Sequence, residues 1–314
     1  MDRVRRHGMD FLIKRVFAIV ATLILASVIV FLIIHLIPGD PAELLAGPGV
    51  PKNEVEMIRK TMGLDKNLLT QYILWFSRLL RGDLGKSLVF GDSILPLILE
   101  RFGNTFLLSL FAILLSVVIG IPLGMASAIK QNSSVDISVM VISIIGISMP
   151  IFWIGLILIL VFSVDLRLLP ATGSGSFAHL ILPGVALGMN SLAIIARMTR
   201  SSMLEILRQD YMVTAEAKGL PASVIILKHA LRNALIPIVT IISMQFGYLL
   251  GGAVLTETVF VYPGLGRLLV DAISRRDYPV VQACILLIVV LFIVINFLVD
   301  MAYTYMDPRI KYGK

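Results

Sequence analysis

Long apolar runs separated by short polar islands dominate this chain. Six runs reach the roughly 17 or more helical residues that cross a hydrocarbon core about 30 Å thick: 16–37, 104–129, 137–164, 180–196, 234–255 and 280–299. From Ala18 to Ile34, and throughout the other five, no Asp, Glu, Lys or Arg occurs. The pattern predicts an all-α integral membrane protein with six transmembrane helices in one domain over residues 1–314. Between the first two runs, 38–103 is too long to be a turn. There Glu54–Met62 and Leu68–Leu80 carry helical periodicity, with Leu69, Ile73, Phe76 and Leu80 on one face. A small cap of two amphipathic helices on the membrane surface is expected.

Composition strengthens the membrane assignment. Hydrophobic residues make up 58% and charged residues 15% of the chain, against roughly 25% charged in soluble domains. Arg3, Arg5, Arg6, Lys14 and Arg15 precede the first run, as in a secretory signal. The run exceeds a signal's roughly 7–15-residue apolar core and no small-residue cleavage site follows, so an uncleaved anchor is expected. The lone Cys284 excludes an intramolecular disulfide and a thiolate cluster.

Charge sets orientation. Six spans put both termini on one side, and that side, with loops 130–136 and 197–233, holds 15 of the 27 Lys and Arg and 8 of the 20 acids. The other side holds 12 of each. The basic side is expected in the cytoplasm, with 38–103, 165–179 and the hairpin 256–279 outside. This asymmetry accounts for the basic balance without a nucleic-acid surface.

Chain breakers mark two of the spans. Gly120, Pro122 and Gly124 sit in the second, and Gly146, Met149 and Pro150 in the third. Either neighbours and cavity water satisfy the freed backbone groups, or the helices are simply kinked and packed. Gly247 and Gly251 have the spacing of a close-approach face.

The chemistry is notable for what is missing. No His-Glu-x-x-His, no Gly-x-Ser-x-Gly and no metal-ligand spacing of Cys and His occurs, and His7, His35, His179 and His229 are scattered. No catalytic or metal-binding residues are assigned. Gly82-Asp-Leu-Gly85-Lys-Ser87 imitates the end of a phosphate-binding loop, but position 80, where the motif needs glycine, is Leu80. Ion-driven carriers place costly ionisable groups inside their spans; here the interiors have none. The membrane part reads as a passive gate that needs work from a partner.

The loop 197–233 can receive that work. Ser202–Lys218 is expected as one helix with Leu204, Leu207 and Tyr211 along a stripe, ended by Gly219 at the position where glycine takes a left-handed cap. Pro221 then opens a second short helix, with Lys228, His229 and Arg232 near its C-terminus. Pro237 marks the start of the fifth span. Small residues Ala215, Ala217 and Gly219 let a partner approach the turn closely. The plain alternative is a surface hairpin within a self-contained channel or secondary carrier, with a regulatory role at most.

At these residues a resemblance becomes specific. Thr214-Ala-Glu-Ala-Lys-Gly219, followed by His229-Ala-Leu-Arg-Asn-Ala-Leu-Ile-Pro237, resembles the coupling loop of ABC importer permeases. The chain is similar to the first permease subunit of the dipeptide/oligopeptide/nickel importer family. Ile37-Pro-Gly-Asp-Pro41, Met62-Gly-Leu-Asp65, Gly82–Ser87, Gly251–Glu257, Tyr262–Arg267, Arg276-Asp-Tyr-Pro279 and Asp307-Pro-Arg309 extend the match along nearly the whole chain.

The resemblance implies a type I importer fold in the bacterial or archaeal plasma membrane. It implies four kinds of neighbour: a second homologous permease, two cytoplasmic ATPases that use ATP and magnesium, an external substrate-binding protein, and lipid. The chain itself would hold no cofactor and catalyse nothing. Thr214, Ala215, Glu216, Ala217, Lys218 and Gly219, with Pro237, would couple to an ATPase; Glu257, Pro263, Gly264 and Asp277 would lie near the binding protein. Short peptides are the expected substrates, with nickel the rival inside the family. One departure stands out: the general signature places Glu-Ala-Ala six residues before the glycine, where this chain has Val213-Thr-Ala215, and Glu216 stands three before it.

Overall fold

The computed structural model describes residues 15, 17–32, 42–43 and 50–306. His7, His35, Ile37–Pro41, the basic N-terminal residues before Arg15 and Asp307–Arg309 lie outside them. Every named element is a helix: α1 Phe17–Leu32, α2 Lys52–Met62, α3 Leu68–Leu80, α4 Ile94–Ile129, α5 Ser134–Ser148, α6 Ile151–Asp165, α7 Ala178–Leu207, α8 Asp210–Ala217, α9 Ala222–Gly251, α10 Val254–Val259, α11 Leu265–Ser274 and α12 Tyr278–Met306. Among the described residues, four helices are long and apolar enough to cross a membrane, and a fifth span results if α5 and α6 count as one. The 16-residue α1 is shorter, within an expected first run that is only partly described.

The described chain falls into two compact units. The first takes the residues up to Gly103 together with Leu268–Ile293. Within it, α2 and α3 match the two expected amphipathic helices. Gly63 ends α2 in the left-handed conformation (φ 72°), and Asn67 caps α3 by accepting the Thr70 N–H. The packed face of α3 is Tyr72, Trp75 and Phe76, with Phe31 of α1 against Tyr72 and Trp75. Of the expected apolar stripe, Leu69, Ile73 and Leu80 stand exposed.

The second unit takes Asn104–Arg267 and the chain from Val294. Its centre is α7: 56% of that helix's most apolar window is buried, against 28% for α9. Gly120 lies against Leu192 and Ile195, Gly124 against Ala196 and Thr199, and Gly188 against Ala112 and Ser116. Residue numbers rise together on both helices, so α4 and α7 run parallel along a seam too tight for side chains. A Cβ on Gly124 would strike the Ala196 carbonyl. These glycines therefore serve packing, and α4 continues unbroken through Pro122. A Cβ on Gly247 would come within 3.1 Å of Ile295, whereas one on Gly251 would meet open space.

Four expectations are corrected. The second span's helix begins at Ile94, ten residues early, because Glu100 and Arg101 interrupt the apolar run without interrupting the helix. The third span is two helices bent by 105°: Met149 is extended (φ −78°, ψ 133°), as a residue before proline tends to be, and Pro150 starts α6 afresh. The Ser202–Lys218 helix is divided, since α7 runs to Leu207 and Gln209 is extended before α8. The second loop helix does not end near Arg232. It runs into the next span as α9, so Lys228 and His229 lie in a wide-turned helical stretch (Ile225–Leu231) and Pro237 lies inside the helix.

Candidate functional site

Residues 214–219 of the expected coupling set form a hydrogen-bonded helix end. The Gly219 N–H donates to the Glu216 carbonyl (2.9 Å) and the Leu220 N–H to the Ala215 carbonyl (3.4 Å). That pair of bonds is the Schellman ending, which requires a left-handed residue after the helix. Gly219 supplies it with φ 72°, and the space where a Cβ would stand is open. Pro221 follows, its carbonyl accepting from Val224 and Ile225 to start α9. Thr214, Glu216, Ala217, Lys218 and Gly219 are exposed, while Ala215 is buried. Met212 and Ala215 anchor the knob inward, in one apolar cluster with Ala128, Met203, Ile225, Ala230, Ala234 and Ile238. Pro237, half-buried, sits inside α9, about four turns from its start.

Next to this cluster is a polar group that sequence reasoning missed. Arg200 of α7 donates through Nε to Asp136 Oδ1 (2.6 Å) and through a terminal nitrogen to Oδ2 (2.7 Å). The Ser127 hydroxyl donates to Oδ1, and the Asn132 N–H to Oδ2 (2.9 Å). Asp136 is 3% exposed. Bidentate guanidinium–carboxylate pairs fix orientation as well as distance. Separation by 64 residues hid the pair. The hint was a basic loop residue, Arg200, within reach of the short 130–136 loop if α5 and α7 packed antiparallel.

At the other end of α4 the residues 257–267 fold around a second carboxyl. Glu257 is completely buried. The Thr105 hydroxyl donates to its Oε1 (2.6 Å), the Arg267 N–H to its Oε2 (3.0 Å), and the Leu265 N–H to the Thr105 oxygen (2.8 Å). Asn104 donates to the Pro263 carbonyl (2.9 Å). Gly264 lies so close that a Cβ there would collide with the Glu257 carboxylate. No cation offsets the charge, so burial pushes the Glu257 carboxyl above the ordinary range, against the pull of Thr105 and the Arg267 and Gly266 N–H groups. Burial, and then the nearby Glu257 charge, raises the Tyr262 hydroxyl likewise.

In the first unit, Asp277 is 2% exposed. It accepts from the Ser87 hydroxyl and from the Leu88 N–H (3.1 Å), while Arg275 lies over the Phe90 ring at 5.3 Å. The segment that imitates a phosphate loop is thus a turn pinned by a carboxylate. Of the four residues expected near an external partner, Glu257, Gly264 and Asp277 are buried and Pro263 is half-buried. The Glu257 carboxyl holds 257–267 to Thr105, and the Asp277 carboxyl holds the turn at Ser87 and Leu88. Among the described residues, no three His, Cys, Asp or Glu gather as a metal site.

The described residues form helices that carry a capped, exposed knob. Residues 120–312 match the family described as "Binding-protein-dependent transport system inner membrane component", and residues 8–110 match its N-terminal companion. The chain belongs to this family of ABC importer permeases. It is 45% identical over 304 residues to the glutathione transport system permease protein GsiC of Pectobacterium atrosepticum, covering 97% of this chain and 99% of that protein. The GsiC of Escherichia coli K12 is 44% identical over the same span. An inward-facing structure of the MetNI methionine ABC transporter shares the fold, with TM-score 0.58 and 22% identity over 67% of this chain and 96% of that one. As a permease subunit of the inner membrane, the chain is a transport component and not an enzyme. The family implies ATPase and substrate-binding partners.

Proposed function

We propose that this permease forms one half of the pore of an ATP-driven, binding-protein-dependent importer of short peptides, with a glutathione-like tripeptide the first candidate. The observation that carries the mechanism is the knob. An exposed Schellman turn with nothing above Gly219 is a small convex surface of fixed backbone, suited to seat in a partner's cleft. Thr214, Glu216, Ala217 and Lys218 ring that turn, and Met212 and Ala215 tie it to α4, α7 and α9. In this reading, closure of two ATPases on ATP pushes the knob and so rocks the spans. A second homologous permease completes the pore. The binding protein docks on the opposite face, above the Glu257–Asp277 segment, and the termini and knob are cytoplasmic, a reading supported by the basic excess of that side.

The near full-length relatives named as glutathione permeases support a peptide substrate. The test is reconstitution of the purified transporter, with the partners that co-purify, in vesicles offered labelled glutathione, a dipeptide and nickel ion. ATP-dependent uptake of a peptide is the expected result. Uptake of nickel alone moves the substrate assignment, and uptake without ATP or any ATPase overturns the importer. Gly219→Arg should abolish uptake while leaving the chain inserted, because arginine both blocks close approach and resists a positive φ.

A further inference from the structure

The clamp at Asp136 joins segments that the knob must move. Four donors from α4, the α4–α5 turn and α7 converge on one carboxylate: Ser127 Oγ, the Asn132 N–H and the two Arg200 nitrogens. Asn132 itself is held at φ 62°, an uncommon conformation for a residue with a side chain. On the adjoining side, Ala128 and Met203 pack with Met212 and Ala215 of the knob. Arg200 and Met203 lie one turn apart on α7, and Ser127 and Ala128 are neighbours on α4. The same two helices are thus attached once through hydrocarbon and once through a directional fork. Apolar contacts slide at little cost; a bidentate guanidinium does not. Stability alone is a weak reason for a buried carboxylate paired with a partly exposed guanidinium, because apolar pairs of similar volume often stabilise as well.

We propose that Asp136 and Arg200 are positioning residues that lock the α4–α5 turn to α7, so that the turn and the knob at 210–219 move as one body during the transport cycle. The proposal rests on the reading of the knob as the ATPase contact, and it assigns how motion there reaches α4 and α5. Without the fork, the knob would move while the turn lags, and ATP would be spent without full rearrangement of the spans.

The test uses the complete transporter in lipid nanodiscs, with Cys284→Ala and spin labels at Gln131→Cys and Val213→Cys, both exposed positions. Pulsed electron resonance reads the 131–213 distance in nucleotide-free and vanadate-trapped states. With the clamp intact, the distribution should be the same in both states. Arg200→Lys keeps the charge and loses the fork; Asp136→Asn combined with Arg200→Met removes both charges and leaves none uncompensated. In either variant the distance should shift on trapping by about 5 Å, on the order of one helical turn, with ATPase turnover kept within about twofold. A distance that already changes in the intact chain, or that stays fixed in both variants, overturns the lock while leaving the importer standing. A preparation that carries no ATPase overturns the importer reading and the lock with it.

Discussion

The two ends of α4 each hold a buried carboxyl, and they hold it by opposite means. At Ser127, Asp136 meets a full cation in bidentate geometry together with a hydroxyl and an N–H. At Thr105, Glu257 meets a hydroxyl and backbone N–H groups and no cation. Asp136 is therefore a charged joint, strong only while both partners are present, whereas the Glu257 end is a hydrogen-bonded staple in which burial favours the proton and the donors oppose it. A joint that must transmit force gains from an orientation-fixing fork. A loop that must only keep its shape does not need one.

The largest test of this contrast removes one side of the joint. Arg200→Met strands the Asp136 carboxylate, and a buried charge without its partner costs about 3–5 kcal/mol. Thermal unfolding in detergent should show a clear loss, with much of it recovered when Asp136→Asn is added. A single and a double variant of equal stability would break the distinction.

The staple should respond more gently. Glu257→Ala leaves Thr105 and the Arg267 N–H without an acceptor, about 1–3 kcal/mol for buried donors, and should raise amide exchange across 257–267. Glu257→Gln keeps an acceptor oxygen and should cost under about 1 kcal/mol. Equal damage by both would mean that the charge matters at this end as well.

The smallest effect is a pH dependence confined to the staple. A carboxyl raised by burial binds its proton more tightly in the fold than in the open chain. Its contribution is complete below the unfolded carboxyl's range and is lost as pH rises through the folded value. Exchange protection at 262–267, corrected for intrinsic rates, should therefore fall with rising pH and become flat in Glu257→Gln. Rising protection with pH would reverse the assignment.

Much of this was legible along the chain, for reasons that also explain what was not. The cap helices α2 and α3 declared themselves by helical period, and Gly219 by its place between good helix formers and Pro221. Both signals are local. Apolar runs, however, report where hydrocarbon is, and a helix can continue past it: Glu100 and Arg101 belong to α4, and Arg197 and Arg200 to α7. The same confusion joined 202–218 into one helix, whereas Leu204 and Leu207 finish one helix and Met212 begins to anchor another. The bend at Met149 and Pro150 was visible as a breaker but not in its size, which depends on what α6 packs against. Asp136 with Arg200, Thr105 with Glu257, and Ser87 with Asp277 pair across 64 to 190 residues. No periodicity links such positions. Only the fold brings them together.

Thr105 and Ser127 make α4 a measuring rod. They stand 22 residues apart on one helix, about 33 Å of rise, and each delivers a hydroxyl to a carboxyl fixed by other segments. A single residue inserted between them would turn one hydroxyl about 100° away from its acceptor and carry it about 1.5 Å along the axis. Substitutions on the outer face of α4, at Leu114 or Val118, leave both ends in register. The tolerance of this helix to change should therefore be lopsided: permissive in spelling on its outer face, strict in letter count.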